Sequence, residues 1–259
     1  MQINTNVVSK GEDAGVTTDG SFKITDSVGS FVARRPALSR VFEQAEIDYC
    51  CGGKIVLADA CRTKGLDPAA FLATLIQAAA APGDVPEIDA ASMSLTALAD
   101  HIEKTHHAAL KVELPRLDAM TAKVAAVHGS ADVRLRDVQE TFFGLAAEMT
   151  SHMQKEEQIL FPMVRRLDAS ATAPAFHCGS IANPIRQMES EHDQAGGALA
   201  RLRELTDDYT PPAWACNTYR AMLDALAWLE RDMHQHIHKE NNVLFPTAIK
   251  LEAELAARS

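Results

Sequence analysis

The chain is poor in several things at once. Of its 259 residues only 13 are Gly and 11 are Pro, and aromatics make up 5%. So little Gly and Pro excludes a collagen-like or low-complexity chain. No apolar–polar alternation lasts beyond a few residues, so extended strands are not expected. No apolar stretch approaches the ~18 residues of a membrane-spanning helix. Residues 1–21 lack the apolar core of a signal peptide, so none is expected. Positive charge is also in deficit: 25 Lys and Arg against 35 Asp and Glu give a net charge of -10. Phosphate backbones need a basic face, so neither nucleic acid nor a membrane is expected as a partner. Cysteine is sparse and irregular, at 50, 51, 61, 178 and 216. An odd count without a repeating spacing argues against a disulfide framework and for a reducing, cytoplasmic setting.

What is present points to helices. Hydrophobic residues reach 47%, with Ala and Leu abundant, and these are strong helix formers. Residues 1–24 are polar and aperiodic, as in a disordered tail. Residues 25–82 carry short helical patterns at 37–46, 54–64 and 68–80, a small helical domain. Asp67 before Pro68 is a good helix start, an N-cap followed by Pro at the first helical position. A linker over 83–93 follows, opened by the Pro82-Gly83-Asp84-Val85-Pro86 run. From Ser94, itself a plausible N-cap, four amphipathic stretches occupy about 94–127, 132–167, 180–206 and 212–255, with short breaks between them. The expected fold is all-α, an antiparallel four-helix bundle over 94–259.

One segment occurs twice. His152-Met-Gln-Lys-Glu156-Glu-Gln-Ile-Leu-Phe-Pro162 is answered by His236-Ile-His-Lys-Glu240-Asn-Asn-Val-Leu-Phe-Pro246. On a helix, residues four apart share a face, so each copy aims an imidazole and a carboxylate at one point. The repeat extends further: His107 lies 45 residues before His152, and His192 lies 44 before His236. A duplicated helical hairpin would gather four His and two Glu at the bundle centre. Imidazole and carboxylate without thiolate suit iron, manganese or zinc. Two glutamates able to bridge suit two ions, and two iron ions are the best fit. One ambiguity remains at this level: the apolar periodicity of the first bundle stretch centres nearer His106 than His107. A kink at Pro115 offers one way to shift that register.

Over about residues 25–255 the chain resembles the repair-of-iron-centres (RIC) di-iron proteins, with a hemerythrin-like domain behind an ScdA-like Cys-Cys module. The matching runs are Asp48-Tyr-Cys-Cys-Gly-Gly-Lys54, His107 with Leu114-Pro115, Ser151 to Met163, Met188-Glu-Ser-Glu-His-Asp193, and His236 to Pro246. The resemblance selects His107. It implies His107, His152, His192 and His236 as terminal iron ligands and Glu156 and Glu240 as bridging carboxylates. It further implies repair of iron–sulfur clusters damaged by nitrosative or oxidative stress, through iron donation and nitric oxide binding. Iron–sulfur client proteins, nitric oxide or dioxygen as small ligand, and a possible homodimer follow from it. The alternatives are a nitric oxide scavenger or an oxidoreductase forming nitrous oxide.

Around this set, Glu148 and Asp232 each lie four residues before a ligand histidine and could accept the spare imidazole N–H. Glu191, beside His192, could line access to the metals. Cys50 and Cys51 precede Gly-Gly-Lys, where a following helix N-terminus would lower a thiol pKa, which suggests redox or iron transfer. Cys61, Cys178 and Cys216 are expected to pack. His128, His177, His234 and His238 are expected at the surface.

Overall fold

The computed structural model describes residues 22–80 and 89–258. The expected tail up to residue 21 and the linker up to residue 88 lie outside these. Among the described residues there is no strand, only two isolated bridges, Ser27–Val56 and Phe176–Gly179.

The N-terminal helices are α1 (Val28–Arg34), α2 (Ser39–Gln44), α3 (Leu57–Thr63) and α4 (Pro68–Ala80). Three match the sequence patterns. Asp67 caps α4 as expected, its Oδ1 accepting from Ala70 N–H at 2.7 Å. Helix α1 was not foreseen. Seven residues with an internal Gly make a poor helix alone, and this one is held by packing. Val28 and Phe31 are buried, and Phe31 stacks on Phe22 and meets Phe42 edge-on.

The bundle has four rods. The first is α5 (Leu95–Ile102) continued by α6 (Ala108–His128). The second is α7 (Arg134–Lys155) continued by α8 (Phe161–Asp168). The third is α9 (Ala182–Leu205). The fourth is α10 (Asn217–Lys239) continued by α11 (Phe245–Ala256). Helix α7 packs on α6 and α9, and α10 on α6 and α9. Ser94 caps α5, accepting from Ala97 N–H at 3.1 Å.

Three rods are interrupted by a wide π-helical turn: Glu103–His107, Glu156–Leu160 and Glu240–Leu244. Each closes an i→i−5 bond, Ala108 N–H to Glu103 O, Phe161 N–H to Glu156 O, and Phe245 N–H to Glu240 O. A π turn inserts one residue into the α repeat. Across each turn the residues four and five on are both buried, His106 and His107 after Ile102, Leu160 and Phe161 after Glu156, and Leu244 and Phe245 after Glu240, so a second residue joins the buried face. From His107 onward it runs Leu110, Leu114, Leu117, Thr121, Val124. This resolves the His106/His107 ambiguity, and it corrects the proposed cause: the register shifts at Glu103–His107, eight residues before Pro115. It also gives Pro162 and Pro246 a reason. In a plain α-helix each ring would strike the carbonyl four residues back, and the widened turn makes room.

Two apolar clusters sit at the two ends of the bundle. One joins the N-terminal helices to the α6, α7, α9 and α10 interior. The other gathers α5, α8, α11 and the start of α9. The repeated His and Glu residues form the polar layer between them.

Candidate metal centre

His107, His152, Glu156, His192, His236 and Glu240 come together in that layer and are all buried. They form two groups, His107–Glu156–His236–Glu240 and His152–Glu156–His192–Glu240, each with ligand atoms within 4.8 Å of one another. Both groups share the same two carboxylates. His107 Nε2 and His152 Nε2 each lie 3.3 Å from Glu156 Oε2. His192 Nε2 is 3.1 Å from Glu240 Oε2, and His236 Nε2 is 3.1 Å from Glu240 Oε1.

The donor set fits cations. Glu156 and Glu240 are 0% exposed, and both oxygens of Glu156 and Oε2 of Glu240 lack a hydrogen-bond donor. Two buried carboxylates with unpaired oxygens are costly unless positive charge sits against them. The surrounding imidazoles already show this demand. Burial opposes protonation of His152, yet the Glu156 carboxylate raises its pKa to about 9. At His236 burial prevails and lowers it to about 4.

Outer contacts fix which ring nitrogen faces inward. His107 Nδ1 donates to Glu157 Oε1 at 2.9 Å, and Lys111 holds that carboxylate at 2.7 Å. His152 Nδ1 donates to Glu191 Oε2 at 2.9 Å, with Lys155 and Gln187 on the other oxygen. His192 Nδ1 donates to Asn241 Oδ1 at 2.8 Å. With the proton on Nδ1, each Nε2 presents its lone pair to the centre. His236 is different: its Nδ1 has no hydrogen-bond partner, and its ring stacks on His106 at 5.3 Å. The phenylalanines of the repeat seal the layer, Phe161 stacking on His107 and Phe245 on His192.

Several expectations need correcting. The spare N–H of His152 goes to Glu191, while Glu148 is exposed and lines the same surface cavity. Asp232 accepts from His106 Nδ1 at 2.8 Å, not from His236. His238 is buried because the N-terminal domain covers its face: its Nδ1 donates to Tyr49 O at 3.2 Å and the Tyr49 ring packs edge-on. Cys216 is exposed rather than packed, its Sγ 3.2 Å from His128 Nε2. Glu157 and Asn241 had been given no role. The signal was available, since each directly follows a repeat glutamate.

The Cys-Cys turn lies against the centre. Cys51 Sγ is 3.5 Å from His192 O. Asp48 shapes the turn, accepting from Cys50 N–H at 2.9 Å and Gly52 N–H at 2.8 Å. Asn242 Nδ2 donates to Cys50 O at 3.0 Å and Tyr49 O at 3.4 Å. Gly29 and Gly53 make this clasp possible, because a Cβ there would lie 2.2 and 2.4 Å from Asn242 Oδ1. Contrary to the expected lowering, the adjoining Cys51 thiol, burial and the Asp48 carboxylate push the Cys50 thiol up. The next helix begins only at Leu57, too far for its dipole to act. Asp48, Cys50 and Cys51 also form a small group that could hold a metal ion.

Residues 73–248 match the family model of the hemerythrin HHE cation binding domain, and residues 24–79 match ScdA_N, a domain of unknown function. The chain is similar to the iron-sulfur cluster repair protein YtfE of Enterobacter sp. (strain 638), 39% identical over 222 residues, covering 86% of this chain and 96% of that protein. It is also similar to the proteins of that name in Yersinia pseudotuberculosis serotype IB (strain PB1/+) and Yersinia pestis (strain Pestoides F). Each is 36% identical over 227 residues, covering 87% of this chain and 97% of the relative.

Proposed function

The chain belongs to the hemerythrin-like family of iron–sulfur cluster repair proteins, and from that premise we propose that its buried layer is a di-iron site serving the repair of damaged clusters. The observation that carries this is the sharing of Glu156 and Glu240 between two four-residue groups. His107 and His236 would hold one iron, His152 and His192 the other, with both glutamates between them. Bound there, the iron pair supplies redox capacity and coordination positions for a small molecule such as nitric oxide.

The protein's own residues keep the pair accessible at one side. Glu191 bridges from His152 to Lys155 at the wall of a cavity of about 370 Å³ that Glu148 also lines. Burial opposes ionisation of Glu191, but Lys155 and Gln187 hold its carboxyl down at about 2. It stays an anion at neutral pH and can attract a departing cation. Six ligands for two ions leave room for exchange, which suits iron donation to client proteins in the cytoplasm. The Cys50–Cys51 turn, seated on α9 at the His192 carbonyl, would meet such a client or pass electrons.

The test is transfer. Iron-loaded protein is mixed anaerobically with an apo iron–sulfur protein, and cluster recovery is followed spectroscopically. Recovery that depends on the loaded iron, and falls in a Cys50→Ala/Cys51→Ala variant that retains its iron, supports repair through the Cys-Cys turn. No recovery, with nitrous oxide formed over many turnovers of added nitric oxide, would replace repair by reduction.

A further inference from the structure

The Cys50–Cys51 turn carries a third ligating group with it. Cys50 Sγ lies 3.2 Å from Asp48 Oδ1 and 3.9 Å from Cys51 Sγ. One ligand atom from each of the three residues falls within 4.8 Å of the others. The single S–H of Cys50 cannot serve both neighbours at once. None of these residues belongs to the two central groups, which contain no sulfur.

The spacing is that of a coordination sphere. A tetrahedral zinc with Zn–S bonds of ~2.3 Å and a Zn–O bond of ~2.0 Å sets its sulfurs ~3.8 Å apart and sulfur from oxygen ~3.5 Å apart. Both separations in the turn lie within ~0.3 Å of these values. The backbone holds the donors there. The Asp48 carboxylate accepts from Cys50 N–H at 2.9 Å and Gly52 N–H at 2.8 Å, and each of its oxygens keeps a second acceptor position. Asn242 clasps Cys50 O at 3.0 Å. All three residues line a cavity of about 480 Å³. Glu43, Glu46, Asp193 and Glu230 line it as well, against Lys64 and Arg203. A cleft dominated by one sign of charge concentrates counter-ions.

We propose that Asp48, Cys50 and Cys51 form a second metal site, apart from the di-iron centre, that binds one zinc ion through two thiolates and a carboxylate and leaves the fourth position for an exchangeable ligand. Thiolates favour zinc over the hard cations, and the carboxylate suits zinc better than copper(I). Ferrous iron competes for the same donors but stands below cobalt and zinc in the affinity order. As Zn²⁺ enters, Cys50 and Cys51 each release the S–H proton to solvent, so the ion meets two thiolates and the Asp48 carboxylate. Water fills the fourth position, as in zinc sites with three protein ligands. A zinc held there masks both thiols of the turn.

Cobalt(II) is the probe, because cobalt–thiolate bonds absorb in the near ultraviolet and the central groups have no thiolate to offer. The iron-loaded full chain, kept reduced with a phosphine and free of thiol reagents, is titrated with cobalt(II) and then zinc(II). The cobalt–thiolate band should reach its end point at one ion per chain, and one equivalent of zinc should bleach it while iron content stays constant. Peptide mapping after alkylation should show that zinc shields Cys50 and Cys51 in the parent protein, a readout that needs no variant. Cys50→Ser and Cys51→Ser should each abolish the end point. Asp48→Asn keeps both thiols and should weaken cobalt by ~10-fold or more, the loss seen even for outer contacts of a metal. Cys216→Ser should leave the titration unchanged. Melting temperature checks the fold of each variant. No cobalt–thiolate band, or a band that persists when Cys50 and Cys51 are both replaced by Ser, would overturn the site. Ferrous iron that displaces cobalt where zinc does not would overturn the choice of zinc. Cluster recovery is a separate readout, so failure of either proposal leaves the other standing.

Discussion

The two irons of the centre should not be equally tight. On the side of His152 and His192 both imidazoles donate Nδ1–H to a protein acceptor, Glu191 and Asn241. On the side of His107 and His236 only His107 does so, to Glu157. His236 Nδ1 has none. An outer acceptor orients the ring and raises its basicity, and losing one typically costs about 10–100-fold in metal affinity. That corresponds to ~1.4–2.8 kcal/mol. Challenge of the reduced, loaded protein with a ferrous chelator should therefore release iron in two phases of equal amplitude, the His107/His236 iron first. Glu157→Ala removes the remaining acceptor on that side and should speed the fast phase while leaving the slow one. Glu191→Ala takes an acceptor from the other side and should speed the slow phase, drawing the two together. Absorbance of the iron–chelator complex follows both. A single phase in the parent protein, or a Glu157→Ala effect confined to the slow phase, would refute the link between outer acceptors and retention.

Other outcomes follow from the same geometry. Glu156→Ala or Glu240→Ala removes a carboxylate common to both groups. Metal analysis should then find iron reduced from about two per chain to one or none. Asn242→Ala deletes the hydrogen bonds to Tyr49 O and Cys50 O; Tyr49 O keeps His238 Nδ1, while the part-buried Cys50 carbonyl loses its Asn242 donor at a cost of ~1–3 kcal/mol. The melting temperature should fall, and the Cys50 and Cys51 thiols should react faster with a disulfide reagent. Among the cysteines, Cys216 should alkylate first. The amides of Tyr219 and Thr218 and the His128 imidazole lower its pKa to about 7, so its thiolate is present above that pH and its reactivity falls as pH drops below. Peptide mapping after brief iodoacetamide treatment should find Cys216 labelled and Cys50 not, with His128→Ala slowing the labelling at pH 7.

Much of this was readable in the sequence because a helical repeat encodes position directly. The His-x3-Glu spacing implies a shared face and the doubled copy a common focus, which marks His152, Glu156, His236 and Glu240; the choice of His107 over His106 came from the family resemblance. The four rods fall on the four amphipathic stretches, with Ser94 capping the first. What escaped had non-local or register-breaking causes. The turn Glu103–His107 buries His107 alongside His106, and a 3.6 period selects only His106. The burial of His238 depends on Tyr49, 189 residues earlier. The raised thiol of Cys50 comes from the adjoining Cys51 thiol and from burial, with the folded-back Asp48 carboxylate adding to them, where spacing to a helix suggested the opposite. Helix α1 exists through its aromatic contacts and not through its own propensity.

The turn Glu240–Leu244 joins three tasks in consecutive residues. Glu240 belongs to both four-residue groups, Asn241 orients His192, and Asn242 clasps the Cys50 and Tyr49 carbonyls. No flexible spacer separates them, so displacement of one carries the others. Thermodynamic linkage makes the coupling reciprocal. If seating of the cysteine turn tightens iron by some factor, iron loading favours that seating by the same factor. A client that lifts the turn from Asn242 would thereby loosen the metal at the moment of contact, so that docking itself becomes the signal for release.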